Sequence, residues 1–252
     1  MDLPKVRIQV CGRLAVVVDG RRVEAQVPGR QGRLLLTYLV LHRHDSVTRG
    51  QLVDALWPTE PPGSADAAVY ALLSRLRTAL GAELVASRGS VGLTLPSDAW
   101  VDLDAARDAI HRGESALALG EWGRAWGAAQ VTLFASRRGF LPDEELDWVA
   151  SVRRELEGLY VRALETYAAA ALELGGTELA TAERASGELV AAAPFRESGY
   201  RLRMRALVRR GNTAEALLAY DQLCGLLRDE LGVAPSAATR ELHAQVLRGE
   251  AG

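Results

Sequence analysis

The stretch that most constrains the fold is Ser64 to Leu80, SADAAVYALLSRLRTAL. Val69, Leu72, Leu73, Leu76 and Leu80 recur at helical spacing and make one apolar stripe. Tyr70, Ser74, Arg75, Arg77 and Thr78 fall on or beside the other face. Ser64 stands at the N-cap, where its hydroxyl can accept from a free N–H of the first turn, and Gly81 ends the helix. A helix with a firm apolar back and an arginine-bearing front suits the DNA major groove. It equally suits a solvated protein surface, so the flanking segments must decide.

Upstream, Val6, Ile8 and Val10 alternate with Arg7 and Gln9 at strand period. Leu14 to Val18 reads as a second strand, with a hairpin turn at Asp19-Gly20. Arg21 to Val27 alternates again through Val23, Ala25 and Val27, completing a small antiparallel sheet that stops at Pro28-Gly29. A helix follows from Arg30 to His42, with Leu35, Tyr38 and Leu39 on its core side. Thr48 can cap a second helix, Arg49 to Trp57, and Pro58 to Gly63 is a loop that cannot be helical. Beyond Gly81, Leu84–Ser87 and Val91–Leu95 read as strands joined at Arg88-Gly89-Ser90. Sheet, two helices, loop, helix and hairpin make a winged helix-turn-helix.

A polar joint at Pro96-Ser97-Asp98 divides the chain into domains 1–97 and 98–252, and the second reads as helices only. Val101-Asp102-Leu103-Asp104 opens its first helix, with acidic residues suited to a helix N-terminus. Gly120-Glu121-Trp122 leads to a second helix, Gly123 to Ala135. Arg138 to Pro142 is a connecting loop, and Glu144 to Leu174 a long helix. Gly175 and Gly211 lie 36 residues apart, each after one helix and before another rich in small residues. That spacing is close to the tetratricopeptide period, in which helix pairs stack on their neighbours to bury apolar faces. The expected fold is mainly α with small β: a winged helix with a leading sheet, then a tetratricopeptide-like helical repeat domain.

Charge follows the same division. Residues 1–96 carry 12 Lys+Arg against 8 Asp+Glu, and residues 97–252 carry 18 against 24. A basic N-terminal part suits an anionic partner, and an acidic C-terminal part suits protein. The arginine excess over the single Lys5 is a codon-composition bias and says nothing of nucleic acid by itself. Cys11 and Cys224 sit far apart among apolar residues and read as free thiols in a reducing compartment. His42, His44, His111 and His243 form no ligand-spaced cluster with carboxylates or thiols, so no metal is expected. No nucleophile elbow, dinucleotide fingerprint or phosphate-binding loop occurs, which argues against an enzyme and against a cofactor. With no leader pattern and no long apolar run, the chain reads as cytoplasmic and not membrane-bound.

The run RLLLTYLVLHRHDSVTRGQLVDALWP, followed by AVYALLSRLRTALG, resembles the DNA-binding domain of the Streptomyces antibiotic regulatory protein (SARP) family. That domain is itself similar to the output domain of OmpR/PhoB-type response regulators, including a leading four-stranded sheet. The most specific elements are Leu52 to Trp57 and Ser74 to Leu80. The resemblance continues through Val101-Asp102-Leu103-Asp104, through Gly139-Phe140-Leu141-Pro142 to Trp148, and through Glu230 to Pro235 into the last helix, the pattern of the bacterial transcriptional activation domain. Longer members add a nucleotide-hydrolysing domain, and this chain resembles the short form. The resemblance implies an activator of an antibiotic biosynthetic gene cluster. Such an activator binds promoter direct repeats in double-stranded DNA, as two copies side by side, and engages RNA polymerase.

The candidate DNA-binding residues are Thr48, Arg49, Tyr70, Ser74, Arg75, Arg77, Thr78 and Arg88. Tyr70, Ser74 and Arg75 would face base edges, and Arg77 a base or a phosphate. Thr48 and Arg49 would meet a phosphate at the start of the second helix, and Arg88 at the wing tip would touch the minor groove or the backbone. The leading turn departs from the family, because Asp66, Ala67 and Ala68 stand where polar residues are usual. That departure motivates an alternative: a regulatory protein-interaction or ligand-binding module of the same fold with vestigial DNA contact.

Overall fold

The computed structural model of the chain describes residues 4–86 and 91–250. Two compact units interleave along the sequence: 1–105 with 138–155, and 106–137 with 156–252.

The first unit begins with strands β1 (Val6–Gln9), β2 (Ala15–Val18) and β3 (Arg21–Arg22). β1 and β2 are antiparallel with Ile8 opposite Val16, and β3 adds Arg22 opposite Val17. Val6, Ile8 and Val16 are buried while Arg7 is exposed, the alternation of a sheet covered on one face. The third strand is shorter than the alternation to Val27 suggests. After Arg22 the chain enters a 3-10 turn, Glu24–Gln26, which buries Val23 and Val27 and leaves Ala25 exposed. In a strand those three would share one face; the turn sends only two of them to the core.

Three helices then pack on one another: α1 (Gly29–Leu41), α2 (Arg49–Leu56) and α3 (Ala65–Leu80). Leu34, Leu35, Leu36 and Leu39 of α1, Leu52 and Leu56 of α2, and Val69, Leu73 and Leu76 of α3 form the core they share. The wing follows as antiparallel β4 (Val85–Ala86) and β5 (Gly92–Leu93). β6 (Trp100–Val101) then returns beside β1, parallel to it, with Val101 opposite Ile8. The sheet order is therefore β3-β2-β1-β6. The leading sheet is mixed, and its fourth strand comes from after the wing, where the sequence reading placed only the start of a helix.

That helix, α4 (Asp102–Ala118), starts on a buried carboxylate. Asp102 accepts from the backbone N–H groups of Val10 (2.8 Å), Cys11 (3.0 Å) and Leu103 (2.9 Å). Burial pushes its carboxyl above the ordinary value, opposed by those three donors. Asp104 forms an ion pair with Arg43. The acidic pair thus fastens the helix start to the residues just after β1 and just after α1, beyond its expected role at a helix N-terminus.

Residues 138–155, expected as a connecting loop and the opening of a long helix, belong to this same unit. Gly12 donates to the carbonyl of Gly139 at 2.9 Å, and Cys11 bridges Phe140, which is buried. Arg30 and Glu144 form a two-pronged ion pair. Arg153 donates to the carbonyls of Phe140 and Glu144, both at 2.9 Å, and to that of Leu141. Leu141 takes a positive φ of 41°, and helix α6 begins only at Asp147.

The second unit contains α4 from residue 106, α5 (Trp122–Ser136), α6 (Asp147–Leu174) from residue 156, α7 (Leu179–Ala192), α8 (Glu197–Arg209), α9 (Thr213–Leu231) and α10 (Ala237–Arg248). Gly120, Gly175 and Gly211 follow α4, α6 and α8 with φ of 74°, 70° and 84°, a backbone that an L side chain rarely adopts. The core advances from helix to helix. Ala116, Ala125 and Ala170 form one cluster, and Ala171, Leu172, Ala182 and Ala206 the next. Val190, Tyr200, Leu223 and Leu227 come after them, then Met204, Leu207, Ala216, Ala219, Leu242 and Val246. Each cluster joins only consecutive helices, which is how a stacked helical repeat stabilises itself.

Candidate nucleic-acid interface

α3 presents a clean division of faces. Val69, Leu73, Leu76, Ala79 and Leu80 are buried. Asp66, Ala67, Tyr70, Ala71, Ser74, Arg75 and Thr78 are exposed, at steps of one and three that trace a single line along the helix. Tyr70 keeps 62% of its surface open. The Thr78 hydroxyl donates back to the Ser74 carbonyl at 3.2 Å. Ser64 occupies the N-cap position, but its hydroxyl makes no cap bond; with φ −128° and ψ 65° the residue is outside the β-region geometry that aims the oxygen inward. Its carbonyl alone accepts from Ala68, at 3.0 Å. Asp66, in the first turn, lies where a carboxylate favours the helix dipole.

Arg77 stands apart from that line. It is half-buried, and its Nε donates to the carbonyl of Val85 at 3.1 Å, tying α3 to the first strand of the wing. The sequence carried a signal for this. Position 77 lies four residues after Leu73 and three before Leu80, on the flank of the buried stripe rather than on the front.

Thr48 caps α2 through a complete capping box. Its hydroxyl accepts from Gln51 N (3.3 Å), and the Gln51 side chain accepts from Thr48 N (2.8 Å) and lies 3.0 Å from the same hydroxyl. That hydroxyl is therefore committed to the cap. Arg49 beside it is exposed, and among the described residues neither Arg49 nor Arg75 has an ion-pair partner. Val47 and Val91 exchange backbone hydrogen bonds at 3.3 and 2.8 Å, which holds the start of α2 beside the wing. Arg88 lies outside the described residues.

Among the described residues no group of His, Cys, Asp and Glu is placed to hold a metal ion, and no helix is long and apolar enough to cross a membrane. Among the described residues neither Cys11, which is buried, nor Cys224, which is half-buried, forms a disulfide.

Residues 28–92 match the family "Transcriptional regulatory protein, C terminal", and residues 101–247 match "Bacterial transcriptional activator domain". These two matches join a winged helix to that domain, and the chain belongs to the SARP family. It is 35% identical over 226 residues to Regulatory protein AfsR of Streptomyces griseus, covering 87% of this chain and 22% of AfsR. With AfsR of Streptomyces coelicolor the identity is 33% over 246 residues, covering 97% and 24%. With Transcriptional regulator RedD of Streptomyces coelicolor it is 26% over 274 residues, covering 96% and 70%. The structure of Mycobacterium tuberculosis EmbR in complex with a low affinity phosphopeptide matches with a TM-score of 0.82 at 25% identity, over 98% of this chain and 66% of that one. The chain spans less than a quarter of the length of the AfsR proteins.

Proposed function

We propose that this chain is a sequence-specific DNA-binding transcriptional activator that lays α3 in the major groove. The carrying observation is the unbroken exposed line from Asp66 to Thr78 on a helix whose back is anchored in a winged-helix core. Arg75 is the side chain suited to guanine, with Tyr70 and Ser74 beside it and Thr78 at the end of the line. Arg49 and the free N–H groups at the start of α2 suit a phosphate, with Thr48 shaping that terminus. Arg77 serves by holding the wing, and Arg88 keeps the DNA-contact role expected from the sequence.

Residues 1–97 form the DNA-binding domain and residues 98–252 the activation domain on this reading. Two copies occupy promoter direct repeats of an antibiotic biosynthetic cluster in the cytoplasm, and the helical domain engages RNA polymerase. The relative named as a transcriptional regulator, RedD, supports a role in transcription.

Fluorescence anisotropy of the full chain on duplex fragments from its neighbouring intergenic region tests the proposal. Binding stronger than to scrambled duplex, weakening steeply with salt, is expected, because phosphate contacts release counterions. Arg75→Ala should weaken specific binding by about tenfold, within the 1–3 kcal/mol of a good base contact. A folded protein with no salt-sensitive retention, indifferent to Arg75→Ala, would leave the interaction-module reading, which the alanine-rich leading turn favours.

A further inference from the structure

The outer face of the N-terminal sheet holds a second cationic site that the DNA reading does not use. Its inner face carries Val6, Ile8, Val16 and Val101 into the core. Its outer face is a shallow cleft of about 360 Å³. Ala15 and Val17 form the floor, and Arg7, Arg13, Arg22 and Trp100 stand around it. The Arg7 guanidinium lies 5.1 Å from the centre of the Trp100 ring, a cation–π arrangement. Arg22 is paired with Glu24, but among the described residues Arg7 and Arg13 have no carboxylate partner. Gln9 extends the positive rim: its side-chain oxygen accepts from Arg138 at 2.7 Å, and its amide donates to the Arg13 carbonyl at 2.8 Å.

We infer that this cleft binds a nucleoside polyphosphate. Two unpaired guanidiniums at the rim of an apolar floor fit a ligand with one flat apolar end and one multiply charged end. Guanidiniums grip phosphate oxygens in two-pronged fashion, and the Trp100 ring beside Arg7 offers a flat surface for a base. The volume falls within the range of small-molecule sites, about 300–1,000 Å³. An acidic peptide fits less well. β3 is an edge strand of only two residues, both arginine and both exposed, and offers little backbone for an added strand. The site is separate from α3, so it adds a small-molecule input to whatever α3 does.

Isothermal titration of the full chain with ATP, inorganic triphosphate, adenosine and hexaglutamate tests the assignment. Saturable ATP binding is expected, at least tenfold tighter than triphosphate, with adenosine and hexaglutamate binding undetectably. The Arg7→Ala/Arg13→Ala double variant should lose ATP affinity at least tenfold while its circular dichroism is unchanged, since both positions are exposed. Trp100→Ala should weaken ATP more than triphosphate, and Arg75→Ala should leave ATP binding unchanged. No saturable ATP binding at millimolar concentration overturns the inference, as does binding unaltered in the folded double variant. Triphosphate as tight as ATP overturns it in favour of a plain polyanion patch, and tighter hexaglutamate in favour of a protein-docking surface.

Discussion

The indole N–H of Trp148 donates to the carbonyl oxygen of Ala55 at 3.0 Å across 93 residues of sequence. Ala55 is one residue from the end of α2, where a helix has carbonyls without partners. Trp148 thus closes the C-terminus of the helix that precedes the proposed recognition helix. Its ring also meets Tyr38 and Phe140 edge-on, at centroid distances of 5.4 and 6.1 Å. Trp148→Phe should remove the hydrogen bond and part of the ring while keeping an aromatic contact, at about 1–2 kcal/mol. Trp148→Ala should also open a cavity, at about 3–5 kcal/mol. Urea unfolding of the two variants checks the difference; equal losses would mean that the hydrogen bond, not the packing, carries the contact.

The same segment predicts how a fragment behaves. Residues 1–97 alone lack Phe140, Glu144, Trp148 and the Asp102 carboxylate that serves Val10 and Cys11. Such a fragment leaves apolar surface around Tyr38 open and buried backbone donors unpaired. It should melt at least about 10 °C below the first transition of the full chain, which for a domain of this size corresponds to a few kcal/mol. Thermal circular dichroism of fragment and full chain decides the point, and an equally stable fragment would contradict the role given to residues 138–155.

Asp102 supplies a third test. Asp102→Ala strands the buried N–H groups of Val10 and Cys11, and should cost about 3 kcal/mol. Asp102→Asn keeps one acceptor oxygen and removes a buried charge, so it should cost about 1 kcal/mol. Denaturant midpoints at neutral pH separate the two, and an alanine variant as stable as the asparagine one would show the strand amides to be satisfied otherwise.

Much of this architecture was legible in the sequence, and the exceptions share a cause. The buried stripe of α3, the Thr48 cap and the glycine turns are local matters, decided by residues within a few positions of one another. Val23 and Val27 misled because alternate valines fit a strand, whereas only these two, four apart, are buried in the turn that forms. β6 was invisible because two residues have no periodicity; its place depends on β1, some 90 residues earlier. The return of Phe140 and Trp148 to the first unit is equally non-local. At the candidate interface the exposed line could be read directly, but the inward turn of Arg77 depends on Val85 being within reach.

Acid should weaken the second unit through Glu197. Its carboxylate accepts from the Ser236 backbone N–H at 3.0 Å, from the Ser236 hydroxyl at 2.6 Å and from the Thr239 hydroxyl at 2.5 Å, joining the first turns of α8 and α10. Burial alone would raise its pKa, but these donors outweigh burial and hold it below the ordinary 4.5. A carboxyl lowered on folding stabilises above its unfolded pKa, and that stability is lost as pH falls through the folded value. Wild type should therefore lose stability below about pH 4.5 more steeply than Glu197→Gln. Parallel curves of unfolding free energy against pH would remove Glu197 from the account.

Two arginines two residues apart should behave as opposites. Arg75 is exposed and, among the described residues, has no ion-pair partner, so Arg75→Ala should leave stability within about 0.5 kcal/mol and act on DNA affinity alone. Arg77 holds the buried strand residue Val85, so Arg77→Ala should cost about 1–3 kcal/mol by stranding that carbonyl. Its effect on DNA should come through a loosened wing. Arg77→Lys, which keeps the charge but lacks the Nε donor, should then destabilise nearly as much as alanine. A phosphate-gripping Arg77 would instead be rescued by lysine in the binding assay while leaving the unfolding midpoint where it was. Measuring both quantities on the three variants separates a residue that meets DNA from one that positions the element beside it.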